Sequence, residues 1–86
     1  MTIREVVTQE QEDAALVAIA RWVDGEINLG ELQQLVSYQA AAAVQRSGFA
    51  NISATKMVAG NWIIRVSMSP PIMPLGRARI EALTNK

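Results

Sequence analysis

The spacing of apolar residues changes once along this chain, at Gly48, and that change constrains the fold more than any other feature. Before Gly48 the apolar residues recur three and four positions apart, as on one face of an α-helix. After Gly48 they alternate with polar residues, as in a β-strand. A chain of 86 residues is long enough for one small domain. We therefore predict a single α+β domain over residues 1–86.

The first helix is predicted from Gln9 to about Asp24. Thr8 and Gln11 have the spacing of a capping box, in which each side chain accepts a hydrogen bond from the other residue's backbone N–H. Thr2 and Glu5 have the same spacing and offer an alternative start within a lead-in over residues 1–8. Trp22, near the end of this helix, is either an aromatic residue at the core edge or an interface anchor.

The second helix is predicted as one unbroken helix over residues 28–48. Asn28 and Glu31 form another capping box, and the link that contains Gly25 is short enough to require an antiparallel helical hairpin. Four consecutive alanines, residues 40–43, point all round this helix. Because part of the alanine band faces away from the first helix, a second copy of the chain could pack on it. A homodimer is therefore the favoured association.

A β-hairpin is predicted after the helices, with strands over residues 52–58 and 62–68. Gly60 and Asn61 can adopt the positive dihedral angles of a two-residue turn. In that register Lys56 lies directly opposite Arg65, so two like charges share the solvent-facing side. These side chains either extend into water or bind an anionic group of a partner.

A connector rich in proline, residues 69–74, leads to a final short helix over residues 75–84. Proline lacks a backbone donor and restricts the residue before it, and Pro74 suits the first position of a helix. Arg77 and Arg79 on this helix could extend a basic surface from Lys56 and Arg65. The predicted fold is thus an antiparallel helical hairpin packed on a β-hairpin, with a short C-terminal helix, in the order α-α-β-β-α.

The residue types present exclude many active sites. The chain has no Cys and no His, so it can form neither a disulfide, nor a thiolate or imidazole metal site, nor a Ser-His-Asp triad. Its glycines are isolated and form no phosphate-binding loop. We predict that the protein is not an enzyme and has no catalytic residue, cofactor or metal ion. No apolar run is long enough for a membrane span, and a cytoplasmic protein is expected.

Two functions based on macromolecular binding are compatible with these exclusions. The first is a small regulatory or inhibitor-type protein that binds another protein, as a homo-oligomer. Eight residues are expected to contact a partner: Trp22, Tyr38, Ala41, Gln45, Lys56, Arg65, Arg77 and Arg79.

The second function is DNA binding by a transcriptional regulator. The order of elements over residues 10–83 resembles a winged-helix domain if the second helix breaks near Ser37 into residues 29–36 and 38–47. The resemblance implies a recognition helix that offers four side chains to a DNA groove and a wing that carries Lys56 and Arg65. The four side chains are Tyr38, Gln39, Gln45 and Arg46. The apolar periodicity continues through residues 36–40, which favours the unbroken helix. The net charge of zero favours the first function, protein binding, over DNA binding.

Overall fold

The computed structural model describes residues 7–85 and confirms the predicted fold class. The helices are α1 (Gln9–Val23), α2 (Leu29–Leu35), α3 (Tyr38–Ser47) and α4 (Pro74–Thr84). The strands β1 (Ile52–Lys56) and β2 (Trp62–Val66) form an antiparallel two-stranded sheet, with a short 3-10 turn, Val58–Gly60, between them. The alternative start at Thr2 and most of the predicted lead-in lie outside the described residues.

Both predicted capping boxes are present. The Gln11 N–H donates to Thr8 Oγ1 at 3.2 Å, and the Thr8 N–H donates to Gln11 Oε1 at 3.0 Å. Asn28 and Glu31 exchange the equivalent bonds at 2.8 and 3.1 Å. These pairs satisfy backbone donors that the first turn of a helix leaves without partners. They fix the start of α1 at Gln9, as predicted, and the start of α2 at Leu29.

The prediction of one unbroken helix over residues 28–48 is wrong. α2 ends at Leu35, and both Val36 and Ser37 have extended backbone conformations. The hydroxyl of Ser37 accepts a hydrogen bond from the Ala40 N–H at 3.2 Å, which caps a new helix. The Val36 side chain is nevertheless buried. The apolar period therefore continues across the break. Periodicity indicates which side chains are buried, but it does not indicate whether the backbone between them is helical.

The predicted turn and register of the hairpin are also wrong. Five residues, 57–61, connect the strands, and Lys56 lies opposite Trp62. Arg65 lies opposite Ser53, so the predicted pairing of like charges is absent. Since side chains alternate between the faces of a strand, Lys56 and Arg65 lie on opposite faces of the sheet. Gly60 does have a positive φ of 84°, but within a longer turn.

The core lies where α1, α2 and α3 meet one face of the sheet. Its largest fully buried side chains are Leu16, Ile19, Leu32, Val44 and Ile52. Three alanines of α3, residues 40, 41 and 43, are buried as well. Small side chains allow helices to approach closely, so α3 packs tightly against α1 and the sheet.

α4 is attached to the rest of the domain through residues 49–50 and through α1. The Met73 N–H donates to the Phe49 carbonyl at 2.9 Å, just before α4 begins. Gly76 then lies so close to the same carbonyl that a Cβ at this position would be 2.1 Å from the Phe49 oxygen. Two ion pairs, Arg77 with Asp24 at 3.2 Å and Arg79 with Asp13 at 2.7 Å, connect α4 to α1.

Replacement of Gly76 by alanine should destabilise the domain, because the new methyl group would overlap the Phe49 carbonyl and force α4 away. We expect Gly76→Ala to lower the free energy of unfolding by about 2–3 kcal/mol, measured by urea unfolding with tryptophan fluorescence. Gly30→Ala is the matched control, since its Cβ would lie 3.3 Å from the exposed Asn28 side chain and it should change stability by less than about 1 kcal/mol. Equal stability of both variants would contradict the close approach at Gly76.

Candidate functional site

The side of α3 that faces away from α1 is the first part of the candidate site. The core-facing residues of α3 are Ala40, Ala41, Ala43 and Val44, which are all buried. The residues between them are partly or fully exposed: Tyr38, Gln39, Ala42, Gln45 and Arg46. Their spacing places these five residues on one side of the helix, which we call the outer face of α3.

The loop end of the hairpin is held against the start of α3. The rings of Tyr38 and Trp62 meet edge to face, with 6.3 Å between their centroids, and Lys56 Nζ lies 6.0 Å from the Tyr38 centroid. The Gln33 side chain of α2 donates a hydrogen bond to the Trp62 carbonyl at 2.7 Å. Because these contacts join α2, α3 and both strands, they fix the position of the hairpin relative to the outer face of α3.

Gln45 fixes the hairpin near the other end of α3. Its side-chain oxygen accepts a hydrogen bond from the Ala54 N–H of β1 at 3.1 Å. Gln45, which was predicted to contact a partner, therefore makes a structural contact within the domain. The hairpin lies along α3 from Tyr38 to Gln45, and the two elements form one continuous surface.

Positive charge is concentrated in the part of the chain that forms this surface. Residues 32–80 contain no Asp or Glu and include five basic residues: Arg46, Lys56, Arg65, Arg77 and Arg79. Arg77 forms an ion pair with Asp24, the residue after α1, and Arg79 forms one with Asp13 of α1. The hydrogen bond from Arg79 to Asp13 and the attraction between their charges raise the pKa of Arg79. Within residues 7–85, the remaining three form no ion pair, and all three lie on α3 or the hairpin.

One acidic residue of α1, Glu12, contacts α3 at the end far from the hairpin loop. The Ser47 hydroxyl, in the last turn of α3, donates a hydrogen bond to the Glu12 carboxylate. Tyr38, at the first turn, instead has Lys56 beside it. The electrostatic potential is therefore expected to be most positive at the start of α3, where the helix dipole adds to the effect of the nearby cation.

Two residues predicted to contact a partner are parts of the core. Ala41 is 0% exposed, so the expectation that its side chain meets another chain is wrong. Trp22 is half-buried and packs against the core, as its interpretation as a core-edge aromatic predicts. Only Ala42 of the alanine band is more than marginally exposed, which removes the surplus alanine surface that supported self-association.

A small pocket of about 230 Å³ lies between α1 and the α2–α3 turn. Its lining is mostly apolar and includes Val36 and Ala15, with polar groups from Gln11 and Ser37. Leu35 at its edge is 61% exposed, although it is a large apolar residue.

The charge concentration could have been found from the sequence by summing charges over segments instead of over the whole chain.

In residues 7–85, no group of three or more Asp, Glu, His or Cys side chains is arranged to hold a metal ion. None of the helices in that range is long and apolar enough to cross a membrane. No family model, curated protein or solved structure matches this chain.

Removal of the Ser37 hydroxyl should destabilise the start of α3, because the Ala40 N–H would lose its partner. We expect Ser37→Ala to lower the free energy of unfolding by about 1 kcal/mol and Ser37→Thr, which keeps the hydroxyl, to have little effect. Urea unfolding measures both variants. If Ser37→Ala is as stable as the native protein, the cap does not contribute to the break between α2 and α3.

Proposed function

We propose that this protein binds double-stranded DNA, with the outer face of α3 in the major groove and the hairpin on the adjacent backbone. The observation that supports the proposal best is the break at Val36 and Ser37. It divides the second helical segment into two helices joined by two residues, and the second helix presents one polar and partly exposed face. The sequence resembles a winged-helix domain if its second helix breaks near Ser37, and the helix does break there.

The dimensions of α3 suit a major groove. A helix of ten residues is about 15 Å long and, with its side chains, about 10–12 Å wide, close to the width of about 12 Å of the major groove of B-DNA. α3 is held from behind by α1, and the hairpin contacts one edge of its outer face through Tyr38 and Gln45, which leaves the rest of that face at least partly accessible. This arrangement allows the helix to enter a groove without a change in the core.

The side chains of the outer face have the chemistry that reads base edges and phosphates. The amide of Gln39 can donate to and accept from adenine, and the guanidinium of Arg46 can bind guanine or a phosphate. Lys56 and Arg65 lie on opposite faces of the hairpin and would neutralise different phosphates, and the N-terminus of α3 favours an anion nearby. A net charge of zero does not oppose this, since charges more than about 10 Å away are largely screened at 0.1 M salt.

The charge on the hairpin provides a direct test. We expect Lys56→Glu and Arg65→Glu each to weaken binding to a pool of random duplexes by at least about tenfold in a mobility-shift titration. Each should also reduce the slope of log affinity against log salt by about 1, because one phosphate contact is lost. Arg21→Glu makes the same change in net charge on an exposed residue of α1 and should stay within about twofold of the native protein.

Two outcomes would count against DNA binding. One is the absence of any shift by the native protein at low salt, where electrostatic binding is strongest. The other is an equal loss of affinity in all three variants, which would mean that net charge matters and the position of the hairpin does not.

Protein binding is a second candidate function, and the exposed Leu35 favours it. This side chain lies beside an apolar pocket, where it would lose its exposed surface if another chain packed there. Burying a leucine side chain is worth about 1.5–3 kcal/mol, which is enough to contribute to an interface. A second copy of the chain is one such partner.

Self-association through Leu35 can be measured by light scattering at micromolar concentration. We expect a mass that is a multiple of 9.4 kDa for the native protein and a mass of one chain for Leu35→Gln. Leu75→Gln is the matched control, because Leu75 is exposed to a similar extent, 64%, but lies on α4. A monomeric native protein would exclude this form of the second function at that concentration.

A further inference from the structure

The connection between β1 and β2 presents two apolar side chains and a cation to the solvent. Val58 is 94% exposed, more than any other large apolar residue that the structure describes, and Met57 before it is 48% exposed. Lys56 precedes them, and its ammonium group forms no ion pair within residues 7–85. We call residues 56–58 the loop tip. Its apolar and cationic groups are both accessible to a partner.

The pocket between α1 and the α2–α3 turn has the size and the lining that such a tip requires. Ala15 and Val36 form buried parts of the lining, whereas Ala14 and Leu35 are exposed. An apolar cavity of about 150 Å³ holds a benzene molecule. The volume of this pocket, about 230 Å³, is therefore large enough for the side chain of Val58.

Two carboxylates lie near the pocket. Glu10 is four residues before Ala14 on α1, and Glu31 is four residues before Leu35 on α2. Because residues four positions apart lie on the same side of a helix, each carboxylate is about one turn from the pocket lining. Both glutamates are exposed, and neither forms an ion pair with another described residue. The charge beside the pocket is thus opposite to the charge of Lys56.

The pocket and the loop tip of one chain both adjoin the start of α3. Ser37 lines the pocket, and the next residue, Tyr38, contacts Lys56 and Trp62 at the base of the hairpin loop. The exposure of Val58 shows that the tip does not enter the pocket of its own chain. Since the two features are neighbours, two chains related by a two-fold axis can make the same contact in both directions.

We infer that two copies of this chain form a two-fold dimer in which Val58 of each copy enters the pocket of the other. The inference rests on the second candidate function, self-association at Leu35, and is independent of DNA binding. Met57 packs on the partner's Leu35, and Lys56 lies near the two carboxylates beside the partner's pocket. The dimer is stabilised because these three apolar side chains of each chain lose exposed surface and the charges are complementary.

Cysteine cross-linking tests the pairing directly, because the native chain contains no cysteine. Val58→Cys and Ala14→Cys each place one thiol at an exposed position, on the loop tip and in the pocket lining respectively. The two variants are mixed at micromolar concentration and oxidised. We expect the main disulfide-linked product to contain one chain of each variant, identified by its mass, because only this pairing brings two thiols together.

The control for cross-linking is Met68→Cys in place of Val58→Cys. Met68 is 63% exposed and follows β2, at the end of the hairpin away from the loop tip. Mixed with Ala14→Cys under the same conditions, this variant should give no preferred mixed product.

The affinity of the dimer tests the contribution of the loop tip. Val58→Gln and Met68→Gln each replace an exposed apolar side chain with the same polar one, so both should leave the fold unchanged. We expect Val58→Gln to raise the dimer dissociation constant by at least about tenfold, because two buried valines are lost per dimer. Met68→Gln should change the dissociation constant by less than about twofold. Light scattering over a dilution series measures both variants and the native protein.

The outcomes separate this inference from self-association itself. If the native protein is an oligomer but the mixed disulfide is absent, or if Val58→Gln dissociates no more readily than Met68→Gln, the chains associate through another surface and the inference is wrong. A monomeric native protein at this concentration contradicts both the inference and self-association, since any partner must then be a different protein. A mass above that of two chains, with the mixed disulfide present, indicates a head-to-tail contact and overturns the two-fold dimer.

Discussion

The packing of α3 against α1 is the contact on which the other elements of the structure depend. Ala40, Ala41 and Val44 of α3 are buried in the same apolar core as Leu16 and Ile19 of α1. Small side chains bring the two helices close together, and the sheet then covers the same core from the side. Larger residues at these alanine positions would separate the helices and move the hairpin. The alanine band is therefore explained by packing within one chain.

That packing also explains why the polar residues of α3 form one coherent face. Four residues of a ten-residue helix are buried, so the side chains that remain accessible must share the opposite side. The hairpin is attached to this side through Tyr38 and Gln45, one near each end of the helix. The packing of the core thus determines the shape of the candidate site. The chemistry of the site depends on the few α3 residues that are not buried in the core.

The sequence predicts the parts of the fold that local hydrogen bonding controls. The capping boxes at Thr8 and Asn28 and the change of period at Gly48 are local features, and the structure confirms them. The break at Ser37 is local too, but its signal, a lone serine three residues before Ala40, competes with an apolar pattern that continues through Val36. The hairpin register was predicted wrongly because Gly60 fits a two-residue turn as well as the longer turn that forms.

The candidate site was harder to predict than the fold, since it depends on contacts between distant segments. Arg77 and Arg79 look like free cations in the sequence, and only the fold brings Asp24 and Asp13 next to them. The same applies to Lys56, whose position over Tyr38 follows from the hairpin lying along α3. The whole-chain charge is zero and does not reveal that residues 32–80 contain basic residues but no Asp or Glu.

The ion pairs between α4 and α1 have a consequence for how the chain folds. They join residues 53 and 66 positions apart, so each closes a loop that includes most of the polypeptide. Closing such long loops costs entropy before any contact compensates for it, which slows folding relative to a bundle with local contacts. During synthesis, α1, α2 and α3 can associate early, whereas α1 keeps one side uncovered until α4 has been made. The packing of α4 against α1 is thus the step that completes the domain.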